Sequence, residues 1–408
     1  MVYDVIVVGG GAAGFFTAIN AVQKNPNLKI AILERGKEVL SKVRISGGGR
    51  CNVTHAEFIP NDLARNYPRG EKELKGPFHT FMTGDTMAWF EERGVPLKIE
   101  EDGRVFPVSN TSESIINCFL SEAKSYAIEI KTNHSVKSFE KSQGSWRVTT
   151  SKGLFKASYL VVATGSNPKI WTFLEQQFHK TIAPVPSLFT FNSKDKRIVD
   201  LPGVATTAAI KLRGSKLRSE GPVLITHWGL SGPAILKLSA WGAIELHTRN
   251  YKFEIEINWL CEQTYNQALA ELQKTKLQHS KQYIYKYAQF DLPKRLWRSL
   301  VVASGISEQT RWADLTKEQL KTLVTQLTST EFKIDGKSTF KDEFVTAGGI
   351  VLQEINFKTF ESKVQKNLFF VGEVLNIDAI TGGFNFQNAW TSGYIAANTL
   401  AKKSLGEL

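Results

Sequence analysis

The chain has 408 residues, enough for two compact units or for one large domain that carries an insertion. With 42% hydrophobic and 22% charged residues it reads as a globular protein with a sizeable core, which excludes disordered and low-complexity classes. Three cysteines without a CxxC pair argue against a disulfide framework and a zinc site, and a net charge of +12 attracts polyanions without naming a partner.

At the N-terminus, "YDVIVVGGGAAGFFTAINAVQKNPNLKIAILER" predicts strand, glycine turn, helix and strand. Val5 to Val8 is the continuous β-branched run expected of a strand buried on both faces of a parallel sheet. It follows Met1 so closely that no signal peptide is expected, and no apolar run approaches the ~18 residues of a membrane span. A cytoplasmic location without membrane attachment is the expectation. Gly9, Gly11 and Gly14 then form GxGxxG: one glycine for the tight turn, one for approach of a pyrophosphate, one for helix-strand packing. Ala12 and Ala13 keep that approach clear, and Glu34, 20 residues after Gly14, is placed to take the ribose hydroxyls of an adenosine. A carboxylate there disfavours a ribose 2′-phosphate, so FAD or NAD fits and NADP does not.

The stretch "RISGGGRCNVTH", residues 44–55, leads into no obvious helix, and its glycine run costs folding entropy unless a ligand meets the main chain. Further on, three alternating segments near 134–140, 145–150 and 154–157 predict an antiparallel meander, followed by a buried strand, Tyr159 to Ala163, ending in Ala163-Thr164-Gly165. A plain NAD dehydrogenase has no such meander, which favours FAD.

Between 189 and 340 an inserted domain is expected, β-rich over 189–260 and helical over 261–340. The runs "SLFTFNS", "TAAIKLR", "GPVLITHWG", "AIELHT" and "KFEIEINWL" suggest an antiparallel sheet or small β-barrel. Pro293 suits a first helical turn, and Thr316 with Gln319 reads as a capping box. Within "THWGLSGPAI", His227 could donate a proton while Thr226 and Ser231 bind a carbonyl; equally, this is a turn with His227 a hydrogen-bonded interior residue. The Lys- and Arg-rich stretch from 262 to 298 and its tyrosines read as a solvated helical face with core aromatics. Residues 1–188 and 341–408 form the discontinuous cofactor domain. In the latter, Leu368 to Val371 is a buried strand before Gly372-Glu373, and Gly382-Gly383 opens a helix from about Gln387 to Ala401.

Taken together, "SGGGRCNVT", "THWGLSGPAIL", "TAGGI" and "GEVLNIDAITGGFNFQNAWTSGYIAA" resemble the YhiN/BaiN-like family of bacterial FAD-dependent, NAD(P)H-linked oxidoreductases, in order along essentially the whole chain. The resemblance implies an α/β, Rossmann-like fold of the two-dinucleotide-flavoprotein type, with a β-meander and an inserted β-barrel plus helical lobe. It implies non-covalent FAD, contacted by Ser46 to Asn52 and by the segment from Gly372 to the glycine pair. Where that family usually shows Asp and Gly, this chain has Asn376 and Ala379, leaving Asp378 as the nearby carboxylate. The expected contacts are thus Gly9, Gly11, Ala12, Ala13, Gly14, Glu34, Arg35, Lys42, Ser46, Gly47, Gly48, Gly49, Arg50, Cys51, Asn52, Val136, Ala163, Thr164, Gly165, Gly372, Glu373, Asp378, Gly382, Gly383, Phe384 and Asn385. Lys42, Arg44 and Arg50 would offer positive charge to the phosphates or a reduced flavin, and Cys51, without a resolving partner, reads as a small buried residue.

The expected reaction is hydride transfer through flavin N5 to an unsaturated small molecule. No second GxGxxG lies between 150 and 345, so NAD(P)H would visit transiently. A monomer or dimer without bound metal is expected, and a nucleic-acid partner is not. An RNA-modifying or RNA-binding flavoprotein, or a non-catalytic flavin-binding redox sensor, is the alternative.

Overall fold

The structure is a computed structural model describing residues 1–408 except Phe178, Glu262 and 339–344. The chain divides into two compact units, Met1–Val185 with Val345–Leu408, and Pro186–Phe344.

The first unit is built on the parallel pairing that the N-terminal pattern predicts. The strand Val2–Val8 pairs in parallel with Ile30–Leu33 on one side and with Gly153–Val162 on the other. The helix Ala12–Lys24 packs against the C-terminal helix Phe384–Leu405 so closely that a Cβ on Gly393 would lie 3.0 Å from the Thr17 hydroxyl. The meander strands are Val136–Ser142 and Ser145–Thr150, but the third segment and the predicted buried strand are one continuous element. Gly153–Val162 closes the meander antiparallel at its start and joins the parallel sheet along its length, beside Leu368–Phe370. The C-terminal helix begins at Phe384, three residues before the expected start, because Gly383 adopts a left-handed conformation (φ 97°) and turns the chain directly into it.

The second unit is a seven-stranded sheet whose paired neighbours are all antiparallel. Its terminal strands, Thr330–Asp335 and Lys337–Ser338, are separated only by Gly336, so the sheet curls back on itself. Both strands fall in the stretch expected to be helical; the alternating burial of Thr330–Asp335 places one face on the core. "AIELHT", expected as a strand, is the helix Ala243–Thr248, which buries Ala243 and Leu246 on one side. The helices Tyr265–Gln278, Lys294–Ala303 and Lys317–Thr328 form the helical lobe, the first and last each opened by a capping box, Thr264 with Gln267 and Thr316 with Gln319. Pro293 sits at the N-cap of the middle one.

Candidate functional site

The glycine turn after the first strand has the division of labour its spacing predicts. A Cβ on Gly9 would meet the Ala163 carbonyl oxygen at 2.4 Å, and one on Gly14 would meet the Gly9 carbonyl oxygen at 2.1 Å. These two glycines are fixed by close packing within the fold. Around Gly11, by contrast, no described atom lies within 4 Å of the position of a Cβ. Gly11 is also the N-cap of the first helix, with no side-chain cap. Its open side and the uncapped amides behind it form an anion cradle.

Glu34 stands at the edge of this turn. Its carboxylate accepts from the Gly10 amide at 2.9 Å and from the Gly36 amide at 2.7 Å, one to each oxygen. A carboxylate has about four acceptor positions, so capacity for two ribose hydroxyls remains. The Asn133 amide donates to the Gly36 carbonyl and the His134 amide to the Glu34 carbonyl, which brings the meander to the same edge just before Val136. Arg35 is exposed beside it.

The glycine-rich loop departs from expectation. Residues Ser41–Gly49 wind as helical turns interrupted at Ser46, Gly47 and Gly48, the two glycines being left-handed. Gly48 and Gly49 have no described atom within 4 Å of a built Cβ, whereas Gly47 is backed by the Asn52 amide and the Phe106 ring, both at 2.9 Å. Main chain is therefore presented at 48 and 49 and packed at 47. The cations are not free: Lys42 pairs with Glu373 at 2.7 Å, Arg50 with Glu100 at 2.6 Å, and Arg44 with Glu113. Arg50 also lies 3.8 Å from the centre of the Phe106 ring. Lys42, Arg44 and Arg50, expected to offer positive charge to the phosphates or a reduced flavin, each face a carboxylate supplied by a distant element. Ser46 directs its hydroxyl to the Val43 carbonyl at 2.9 Å. Cys51 is fully buried and its thiol is pushed up to about 12 by burial, so it presents no thiolate and only its main chain can touch a ligand.

The C-terminal segment closes on the same place. A Cβ on Gly372 would lie 2.9 Å from that of Ala13, and one on Gly165 would lie 3.6 Å from a Glu373 carboxylate oxygen. Gly383 packs against the Thr54 carbonyl oxygen at 2.5 Å and Asn52 Oδ1 at 2.9 Å from a built Cβ. His55 Nδ1 is 3.1 Å from the Gly382 carbonyl, the His55 ring stacks on Phe384, and Tyr67 donates its hydroxyl to the Phe384 carbonyl at 2.5 Å. Asn385 uses its side chain on the main chain of Ala379, at 3.0 Å and 3.3 Å. Asp378, expected as a possible contact, is fully buried and ion-paired with Arg69, so its charge is held inside the fold. Asn376 stands differently. Its Oδ1 is buried without a hydrogen-bond partner, as are Asn52 Oδ1, Thr164 Oγ1 and Thr346 Oγ1 of the Val345–Ile350 strand. Such orphaned acceptors and hydroxyls are uncommon in a finished interior.

Together, an uncapped helix start at Gly11, bare main chain at 48 and 49, a fixed ribose-height carboxylate and orphaned polar atoms at Asn52 and Thr164 fit a dinucleotide cofactor. His55, Tyr67, Arg69 and Gln387 brace this place without a sequence signal. Gln387 Oε1 accepts from Thr54 at 2.6 Å and Thr86 at 3.0 Å. Their partners lie some 300 residues away in the chain.

The three residues expected to be catalytic lie in the second unit. Thr226 and Gly229 pair across a two-residue hairpin whose tip, His227 and Trp228, is exposed. His227 is thus not the interior residue of the alternative reading. The Thr226 hydroxyl is engaged within the turn, accepting from the Trp228 amide at 3.2 Å and donating to the Gly229 carbonyl at 3.2 Å. The Ser231 hydroxyl accepts from Thr190 at 3.0 Å. Among the described residues no cluster of metal-ligating side chains occurs, and no helix is long and apolar enough to cross a membrane.

The family model described as HI0933-like protein, Rossmann domain, matches residues 3–399. A ribosomal RNA dihydrouridine synthase of Haemophilus influenzae is 29% identical over 98% of both chains. A 3-dehydro-bile acid delta(4,6)-reductase of Clostridium scindens is 25% identical over 97% of this chain and 98% of that one. Among solved structures, the 3-ketosteroid-delta4-(5alpha)-dehydrogenase of Rhodococcus jostii superposes with a TM-score of 0.52 at 13% identity, over 98% of this chain and 97% of the other. A flavocytochrome c3 fumarate reductase does so with a TM-score of 0.50 at 16% identity, over 99% and 79%. These two likenesses concern the fold alone.

Proposed function

We propose, from the premise that this chain belongs to the HI0933-like Rossmann family and is an FAD-dependent oxidoreductase, that it saturates a ring carbon-carbon double bond conjugated to a carbonyl, the ring being a uracil in RNA. The single observation that carries the cofactor half is the open main chain at Gly11, Gly48 and Gly49, together with the orphaned Asn52 and Thr164 side chains and the amide-held Glu34 carboxylate. FAD held there would supply the hydride-transfer chemistry, with a nicotinamide as its proposed reductant.

The acceptor class is supported by the two relatives' names. Making dihydrouridine and reducing a delta-4,6 bile acid are both additions of two hydrogens to an unsaturated ring. RNA is favoured over a small molecule by the +12 charge and by the greater identity to the synthase. The Glu34 carboxylate would hold the adenosine ribose, and the Gly11 amides the pyrophosphate. Asn376, uncharged where the family usually has Asp, would still hydrogen-bond the ribityl chain through its orphaned oxygen. Delivering hydride to one carbon leaves its neighbour to take a proton. His227 is the candidate donor: it is exposed, whereas the Thr226 hydroxyl already donates to the Gly229 carbonyl and the Ser231 hydroxyl accepts from Thr190.

The test is anaerobic: holoprotein, NADH or NADPH, and unmodified ribosomal RNA transcript, with nucleoside mass spectrometry for dihydrouridine. Product that depends on the nicotinamide and falls with His227→Ala supports the reading. Turnover of conjugated steroid-like enones without any RNA product would replace uracil by a small ring substrate.

A further inference from the structure

The insertion holds a constellation that the cofactor site does not use. Residues 186–344 contain 23 Lys and Arg against 16 Asp and Glu, and over 274–298 the cations are Lys274, Lys276, Lys281, Lys286, Lys294, Arg295 and Arg298 against Asp291 alone. Their placement follows from backbone pairing. The Ala313, Trp312 and Ile284 amides donate to the carbonyls of Ser280, Gln282 and Thr310 at 2.9, 3.0 and 3.1 Å, laying 280–284 beside 310–313. This sets Arg311 at 5.4 Å and Lys286 at 4.9 Å from the centre of the Tyr283 ring. Trp297 Nε1 donates to the Ile284 carbonyl at 2.8 Å and anchors the next helix, from which Arg298 lies 5.1 Å from the Tyr285 ring centre. Tyr287 is 52% exposed.

On the same helix Arg295 donates to the Asp200 carbonyl at 2.6 Å and lines an open cavity of about 540 Å³ with Gly203, Leu224 and His227. Beyond His227 comes Trp228, 59% exposed at the hairpin tip. Cation–ring contacts thus recur at Tyr283 and Tyr285, and the helix of Arg298 carries Arg295 to the cavity that His227 of the hairpin tip also lines. Among the described residues, none of Lys281, Lys286, Lys294, Arg295, Arg298 and Arg311 has a carboxylate within ion-pair distance.

Unneutralised cations side by side repel one another, and an exposed indole or phenol ring loses nothing by being covered. A ligand that answers both is a polyanion with flat faces: phosphates meet the cations while bases stack on the rings. An acidic protein surface would answer only the charges.

We infer that this strip of the insertion, from Arg311 through Tyr287 and Arg298 to Trp228, binds single-stranded RNA, with phosphates on Lys286, Arg295, Arg298 and Arg311 and bases stacked on Tyr287 and Trp228. The inference rests on the RNA reading proposed above and names the surface that reading requires.

The test uses the full-length holoprotein and the same ribosomal RNA transcript, with fluorescence anisotropy at several salt concentrations and dihydrouridine yield measured in parallel. The triple variant Lys286→Glu/Arg298→Glu/Arg311→Glu should lower the slope of log affinity against log salt by about 2 and weaken binding at least tenfold. Tyr287→Ala, which changes no charge, should weaken binding about tenfold with the slope unchanged. FAD retention and the far-ultraviolet circular dichroism spectrum check that each variant is folded. If wild-type protein makes dihydrouridine and these variants bind and modify RNA as it does, the strip is wrong and the RNA reading stands. If wild-type protein binds RNA through the strip but makes no dihydrouridine, the strip stands and the reaction is wrong. Wild-type protein that neither binds nor modifies RNA overturns both.

Discussion

The cations beside the glycine turns of the cofactor unit and those along one stretch of the insertion are arranged differently, although elsewhere in the insertion Arg197, Arg213, Arg249 and Lys252 are ion-paired. Around the glycine turns, Lys42, Arg44 and Arg50 each face a carboxylate, and Arg69 is buried against Asp378. Along the insertion's strip, Lys286, Arg298 and Arg311 face aromatic rings instead. Each arrangement suits a different kind of negative charge. A compact pyrophosphate can be held by fixed amides and a helix start, which need no side-chain entropy to order them, so nearby side-chain cations are available to brace the fold. A long, variable polyanion is better met by cations that no carboxylate holds, whose phosphate contacts release the counterions condensed on the polyanion.

The comparison is most directly broken at Arg69. If the buried pair braces the segment that carries Asn376 and the Gly382-Gly383 turn, Arg69→Leu should cost about 3–5 kcal/mol, because it removes the guanidinium that is ion-paired with the enclosed Asp378 carboxylate. The double variant Arg69→Leu/Asp378→Leu should recover a large part of that loss. Urea unfolding of the apoprotein measures both. A single-variant cost under about 1 kcal/mol would mean that the Arg69–Asp378 pair does not brace the fold.

Next in size is the ribose contact. Glu34→Ala should weaken FAD binding by about 1.5–3 kcal/mol, read by equilibrium dialysis of released flavin. The glycines sharpen the result by separating fold from ligand. Gly14→Ala drives a methyl to within 2.1 Å of the Gly9 carbonyl oxygen and should lower the apoprotein's unfolding midpoint. Gly11→Val points into open space and should leave that midpoint nearly unchanged while FAD is lost. Equal effects of the two on apoprotein stability would place Gly11 inside the packing and remove the cradle.

What was legible beforehand follows the range of the interactions. The N-terminal strand-turn-helix-strand unit could be read from Gly9, Gly11, Gly14 and Glu34 because its contacts are local and its spacing is geometrically required. "AIELHT" was misread because six residues carry too little periodicity to separate a strand from a turn and a half of helix; Gly242 ending the preceding helix was the better signal. Thr330–Asp335 alternates cleanly, a strand signal inside the stretch expected to be helical up to 340. Arg69 with Asp378 and Lys42 with Glu373 join residues more than 300 positions apart, and nothing local marks either pair. That is why the cations of the glycine loop looked available. At His227, sequence leaves open a proton donor or an interior residue of a turn, and only the pairing of Thr226 with Gly229 shows a hairpin tip with His227 exposed.

The smallest expected effects sharpen the comparison at its surface. Lys42 and Glu373 raise one question that the buried pair does not: whether an exposed pair braces anything. The Lys42 pKa is raised, first by the Glu373 carboxylate, so whatever the pair contributes is fully present below the ordinary lysine value of 10.5 and is lost only as pH rises through the folded value. With the Lys42 side chain 57% exposed, solvent screens most of that gain, and Lys42→Ala should cost no more than ~1 kcal/mol, less at high salt. Lys286→Ala, with no carboxylate to orphan, should change stability by no more than about 0.5 kcal/mol in either direction. Parallel urea titrations at low and high salt decide it. A salt-sensitive loss at Lys42 with none at Lys286 keeps the distinction between pinned and open cations down to single residues. If salt stabilises the wild type and Lys286→Ala removes that stabilisation, the strip's cations are repelling one another in the free protein, and covering them with phosphate would relieve that repulsion as well as add attraction.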